Sequence, residues 1–187
     1  SLVSNYAQSN IVGYYDKPDR NLGKGAPPCR LTSFTEKQTN KWKDALPFIK
    51  EMDNCFKKLN PSEYKKQRAR AKKNKFHIKN TSFSTITINN NWQTALHMDD
   101  GDFKEGFGNL CVVERGDYQG GYTGFPQFGV AANVRTGDYL SMDVHHWHCN
   151  TPLKGKNYNR LSLVAYLREK MIRCNKKNKK TKKKLRN

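Results

Sequence analysis

The chain has 187 residues, 35% of them hydrophobic, which suits one domain with one core and leaves little room for a second. Its formal net charge is +19, and two tracts account for most of it, so a polyanionic partner is expected, nucleic acid first. No apolar run reaches the roughly 18 residues of a membrane span, and nothing reads as a secretory leader.

The chain begins at Ser1 rather than Met, so a trimmed N-terminus is expected. Residues 1–34 are polar and hold Gly13, Gly23, Gly25, Pro18, Pro27 and Pro28, which predicts an irregular arm wrapping the domain. Residues 35–75 read as helices. Trp42, Leu46, Ile49, Met52, Phe56 and Leu59 recur at three- and four-residue steps and make one apolar face. Pro47 is expected to kink or restart this helix. Asn60-Pro61 then reads as an N-cap with proline at the first helical position. The helix it opens carries the tract YKKQRARAKKNK of residues 64–75, with seven Lys or Arg and no acid.

From residue 76 the period changes to two. FSTITIN at 83–89 alternates as a strand does. Short apolar runs follow at 110–114, 130–134, 139–144 and 161–167. Glycines 116, 120, 121 and 124 mark turns, and Thr136-Gly137-Asp138 marks a tight one. Helices followed by many short strands predict an α+β domain, its sheets forming a sandwich or jelly roll with the N-terminal helices on one sheet. A basic tail, residues 173–187, carries nine Lys or Arg and no acid; outside the two tracts the chain carries only about +3. A solubilising or localisation tail is the plainer reading of that run alone. Five cysteines at 29, 55, 111, 149 and 174 include no CxxC pair, which argues against structural zinc and for a reducing, intracellular setting.

Chemistry is concentrated in the second half. In an extended strand, His97 and Asp99 point the same way and offer a nitrogen and a carboxylate to one ion. A third protein ligand would complete one face of an octahedral site and leave open positions, the arrangement of iron(II) oxygenases. The other histidines are His77, His145, His146 and His148, and spacing alone does not choose among the last three. A His-x-Asp pair by itself is weak, since it recurs by chance in polar loops. Arg160 and Ser162 add weight: they share a strand face, where a guanidinium fork and a hydroxyl suit a carboxylate. Standing alone, such an arginine reads as an exposed strand start.

Residues 11–170 carry a longer pattern. Its parts are Thr81-Ser82-Phe83-Ser84-Thr85, Asn91-Trp92-Gln93-Thr94, His97-Met98-Asp99-Asp100-Gly101-Asp102, Gly120-Gly121 with Pro126-Gln127, Gly137-Asp138, His148-Cys149-Asn150-Thr151-Pro152 and Arg160-Leu161-Ser162. In order and spacing it resembles the Tet/J-binding-protein group of nucleic-acid dioxygenases, in its compact protist, fungal and viral form. The cysteine-rich extension of the animal members is lacking.

The resemblance implies a double-stranded β-helix spanning about residues 76–172 of a single domain, 1–172. It implies Fe(II) held by His97, Asp99 and His148, and 2-oxoglutarate held by Arg160 with Ser162. It places Asp102 near the target base. The implied reaction uses O2 to oxidise the 5-methyl group of a pyrimidine in DNA, 5-methylcytosine or thymine, to hydroxymethyl or further, while 2-oxoglutarate takes the other oxygen atom and becomes succinate and CO2.

A duplex hides that methyl group, so the base must flip. Phe103, Phe107, Tyr118, Tyr122, Phe125 and Phe128 are candidates to stack on it, although core or loop packing is the plainer role of any one. Lys65, Lys66, Arg68, Arg70, Lys72 and Lys73 are candidates for phosphate contact. A monomer without membrane contact is expected, in the nucleus or, for a virus-encoded chain, in a host cell. Competing readings are a protein hydroxylase or RNA demethylase with the same metal site, a non-catalytic nucleic-acid-binding module, and a cupin-like metalloprotein.

Overall fold

The computed structural model describes residues 8–16, 29–171 and 174, so most of the basic tail and residues 17–28 lie outside it. In chain order the described residues form β1 (Ser9–Tyr15), β2 (Arg30–Leu31), α1 (Ser33–Lys37), α2 (Thr39–Leu59), α3 (Pro61–Lys72), β3 (Thr85–Asn90), β4 (Gly108–Arg115), β5 (Tyr118–Gln119), β6 (Thr123–Phe125), β7 (Val130–Ala132), β8 (Tyr139–Met142), β9 (Cys149–Asn150), β10 (Lys154–Gly155) and β11 (Asn159–Tyr166). A six-stranded sheet runs β2-β1-β3-β11-β4-β8, a three-stranded one β7-β6-β9, and β10 pairs with β5. All of these pairings are antiparallel.

Period two decides what each face of the large sheet does. Leu163 and Ala165 of β11, Ile86 and Ile88 of β3 and Cys111 of β4 join one buried cluster, with Ile49, Met52 and Phe56 of α2 and with Phe83. The alternate residues, Thr87, Asn89, Leu110, Arg160, Ser162, Val164 and Tyr166, line a cavity on the opposite side. One short sheet thus seals the core with one face and builds a site with the other.

Helix α2 is held by polar bonds as well as by this burial. The wholly buried carboxylate of Asp53 accepts from Ser82 N and Oγ (both 2.7 Å), from Lys50 Nζ (2.9 Å) and from the Tyr64 hydroxyl (3.3 Å). The Tyr139 hydroxyl sits 2.7 Å from Met52 O and 2.8 Å from Asn109 Oδ1. Phe56 lies against Tyr64, Phe83 and Phe107, with ring centroids 5.7–6.4 Å apart. Phe56→Ala should therefore cost roughly 3–5 kcal/mol, the range for truncating a fully buried aromatic. Urea unfolding measures this, and a loss below about 1 kcal/mol would show that the cluster relaxes around the gap.

Three expectations change here. Residues 1–34 are not an irregular arm throughout: Ser9–Tyr15 is a strand paired with β3 from Ser9↔Asn89 to Gly13↔Thr85. Only Ile11 and Val12 in it are aliphatic, so pairing with β3 rather than its own pattern makes it a strand. Pro47 does not restart α2, which runs unbroken from Thr39 to Leu59. Pro47 and Lys43 are both exposed, so water can take the carbonyl that the missing N–H leaves unpaired. The cysteines are not all thiols: Cys29 and Cys174 form a disulfide across 145 residues, while Cys55, Cys111 and Cys149 are free. A pair so far apart leaves no spacing signature. Burial pushes the Cys111 thiol up to about 12, so it is inert at neutral pH.

Candidate active site

Two short backbone stretches bring the metal-binding side chains together. His97 and His148 form an isolated antiparallel bridge and exchange both N–H···O bonds at 3.0 Å. Their rings stand on one side with centroids 4.2 Å apart. Asp99, two residues on, is held by its N–H to Val144 O at 3.0 Å. One ligand atom from each of His97, Asp99 and His148 lies within 4.8 Å of the others. His97 Nε2 is 3.7 Å from Asp99 Oδ1, and His148 Nε2 is 3.8 Å from Asp99 Oδ2.

The ring tautomers are set from behind. Nδ1 of His97 donates to Ala95 O and Nδ1 of His148 donates to His146 O, both at 2.8 Å. A neutral ring held in this way turns its unprotonated Nε2 towards the shared point, the state a metal ligand needs. Burial also holds His148 below the ordinary imidazole range, which keeps it neutral. The donor set of two imidazoles and one carboxylate fits iron(II) with positions left open. His145 and His146 instead turn to Asp143, at 2.8 and 3.8 Å. His77 bonds to Asn74 O.

Beyond the metal point, a cavity of about 430 Å³ opens between the six-stranded and three-stranded sheets. Arg160 enters it from β11 and is only 2% exposed. Its Nη2 donates to Gly121 O at 3.2 Å, its Nε has no partner, and it makes no ion pair among the described residues. A buried guanidinium without a counter-charge is costly, so the site calls for an anion. Ser162, on the same strand face, also lines the cavity. So does Thr123 of β6, which sequence reasoning missed: its hydroxyl is buried without a partner. The one sequence signal is its place two residues after Gly120-Gly121. Gly121 has φ +71, and a Cβ there would lie 2.7 Å from Leu153 Cδ2 and 3.2 Å from Arg160 Nε, so glycine lets the arginine settle.

At the other end stands Asp102, whose backbone bridges to Arg168. Burial, then the nearby Asp99 carboxylate, push its carboxyl well above the usual range. Arg168 Nε in turn donates to Asp16 Oδ1 at 2.5 Å. Arg168 and Tyr166 line the cavity, and sequence reasoning passed over both because only the fold brings Asp16 to Arg168 and Thr87 to the Tyr166 hydroxyl.

None of the six aromatics suggested for stacking lines this cavity; Trp92 and Tyr166 are its aromatic walls. Phe107 belongs to the core, Tyr118 stacks on Tyr158 at 5.1 Å, and Phe103 packs with Ala71 and Leu167. Phe125 lies 6.3 Å from the His148 ring, Phe128 packs edge-on to His146, and Tyr122 lies near Arg135. Of the basic residues on α3, Arg68 donates to Thr81 O at 2.7 Å and Arg70 pairs with Glu169 at 2.8 Å. Lys65, Lys66, Lys72 and Lys73 are exposed.

An antiparallel β-sandwich with a His-x-Asp pair and a distant histidine between its sheets, and a buried arginine beyond them, defines a jelly-roll, iron-type oxygenase. A family model described as the oxygenase domain of the 2OGFeDO superfamily matches residues 10–169. The chain belongs to this family, Tet/JBP. It is 37% identical over 167 residues to thymine dioxygenase JBP1 of Trypanosoma brucei brucei, covering 86% of the chain and 19% of that protein. It is 35% identical over 168 residues to the bifunctional helicase and thymine dioxygenase JBP2 of Trypanosoma cruzi, covering 88% of the chain and 15% of that protein. The chain thus spans less than a fifth of the length of these curated relatives. Among solved structures, NgTET1 in complex with 5mC DNA shares the fold, with a TM-score of 0.66 at 13% identity over 88% of this chain and 62% of that one.

Proposed function

We propose that the chain is an Fe(II)- and 2-oxoglutarate-dependent dioxygenase that oxidises the 5-methyl group of a pyrimidine in DNA to hydroxymethyl. The observation that carries this reading is the uncompensated Arg160 in the same cavity as three converging metal-binding side chains. His97, Asp99 and His148 hold the iron. Arg160, Ser162 and Thr123 take the distal carboxylate of 2-oxoglutarate: the fork gives two charge-assisted bonds and the hydroxyls add more. When bound, iron with 2-oxoglutarate supplies O2 activation, coupled to decarboxylation of the co-substrate to succinate and CO2.

The protein orients these groups within the cavity. Asp102 faces the base end of the cavity, where its carboxyl, pushed up chiefly by burial, is placed to hydrogen-bond a base edge. Flipping brings the base there, with Trp92 and Tyr166 as walls. The names of the relatives, thymine dioxygenases on one side and a 5mC–DNA complex on the other, support a 5-methylpyrimidine in DNA and leave both bases open. We read residues 1–172 as one catalytic domain, with 173–187 as a basic tail and α2 and α3 as a brace on the outer face of the large sheet. That reading is supported by the cluster joining Ile49, Met52 and Phe56 to Ile86 and Ala165. A monomer acting on intracellular DNA fits it; no helix among the described residues is long and apolar enough to cross a membrane.

The test is direct. The protein is incubated with Fe(II), 2-oxoglutarate and DNA containing 5-methylcytosine, the DNA is digested to nucleosides, and the products are weighed. A gain of one oxygen on 5-methyldeoxycytidine or thymidine, dependent on 2-oxoglutarate, is expected. Oxidation of a peptide, or formaldehyde released from methylated RNA, with DNA untouched, would replace this reading with a protein hydroxylase or an RNA demethylase.

A further inference from the structure

Helix α3 has two basic faces, and only one of them meets the active site. Lys66, Ala69, Arg70 and Lys73 recur at helical spacing and form one wall of a groove of about 680 Å³. The opposite wall is the loop from Asp100 to Glu105, together with Glu169 and Lys170. Asp100, Gly101, Asp102 and Lys170 line both this groove and the metal cavity, so the two adjoin along this loop. Lys65 and Lys72, on the same helix with the same charge and exposure, do not line it.

The walls are firmly set. Gln67 is buried and bridges them: its Oε1 accepts from Phe107 N at 3.0 Å and its Nε2 donates to Ser82 O at 3.2 Å. A Cβ at Gly106 would meet that Oε1 at 2.2 Å, so glycine is what allows the loop this close. Arg70 lies over the Phe103 ring at 5.9 Å and binds Glu169, which takes that acid out of the groove. The groove also carries Lys66, Lys73, Lys104 and Lys170, with Asp100 and Glu105 as its other acids and Asp102 buried.

We propose that this groove carries the phosphodiester backbone of the DNA strand whose flipped base enters the metal cavity. The proposal rests on the functional reading above and adds the path of the strand. A flipped base stays tethered to the phosphates on either side of it, so the backbone must pass close to the cavity, and the lysine-lined groove adjoins that cavity along the loop of residues 100–102. Lys66 and Lys73, seven residues apart, stand about 10 Å apart along the helix axis. That is the axial rise of about three nucleotides of one strand. An RNA strand would present the same phosphates, but the DNA named for the solved neighbour favours DNA.

Two charge-matched double variants of the full chain test it: Lys66→Glu with Lys73→Glu, and Lys65→Glu with Lys72→Glu. Each removes the same charge from the same helix, and the basic tail is present in both. Affinity for a fluorescein-labelled duplex containing 5-methylcytosine is read by anisotropy across a salt series. The groove pair should weaken binding at least tenfold and flatten the salt dependence by about two phosphate contacts. The far-face pair should change affinity less than threefold. Equal losses would reduce the effect to net charge, and no loss in either would remove the DNA from this face; both overturn the proposal. Stronger binding of an RNA duplex of the same sequence, lost in the groove pair, would overturn the choice of DNA. Thermal unfolding of both variants confirms that these exposed positions leave the fold intact. The titration needs no turnover, so its outcome is separable from whether methyl oxidation occurs.

Discussion

Replacing His97 or Asp99 with alanine should reduce nucleoside oxidation by about 10³-fold or more, equivalent to about 4 kcal/mol of transition-state stabilisation. Three side chains converge on one point, and removing any one leaves too few to hold an iron that must also keep positions open for co-substrate and O2. Both residues are about one-third exposed, so the fold should survive. Circular dichroism and melting temperature should match those of chelator-treated wild type, while bound iron falls. Stripping the wild type with a chelator should abolish turnover, and added Fe(II) should restore it; the alanine variants should not recover. An Asp99→Ala protein that keeps iron and full activity would end the assignment of this carboxylate.

Arg160→Met should raise the KM for 2-oxoglutarate about 10²-fold, since a bidentate charged pair is worth about 3 kcal/mol. The stability readout separates binding from a structural role. In the ligand-free protein Arg160 is buried with no counter-charge, so an apolar chain of similar volume should leave the melting temperature unchanged or higher. Wild type at about 100 Kd of 2-oxoglutarate with a redox-silent metal should gain about 2.7 kcal/mol. The variant should gain almost nothing at that concentration. An equal ligand-induced rise in both proteins would place the carboxylate elsewhere. Thr123→Val should act in the same direction but more weakly, because it removes one neutral hydroxyl from the same cavity.

Much of the site could be read from residue types and spacing. His97 and Asp99 are two apart, and so are Arg160 and Ser162; period two puts each pair on one side of an extended chain. The basic helix and its proline start were legible for the same reason: helix signals are local. What escaped were contacts between segments far apart in the chain. Thr123 is an ordinary strand threonine until β6 is laid across from β11, when its hydroxyl faces the same space as Arg160. Asp16 and Arg168 are separated by 152 residues, and Cys29 and Cys174 by 145. The aromatics were misplaced because a stacking role and a core role use the same side chains, and only burial partners distinguish them.

By itself, the amino-acid order determined the donor set, the strand-face pairing and the helical basic tract, because each rests on backbone period and side-chain chemistry over a few residues. The choice of His148 among three neighbouring histidines came from the longer His148-Cys149-Asn150-Thr151-Pro152 pattern, while the tertiary structure alone decided what closes the carboxylate end and which side of α3 adjoins the cavity. Those are matters of how separate strands and helices approach one another, and pairing across the sandwich sets them, with no counterpart in local sequence.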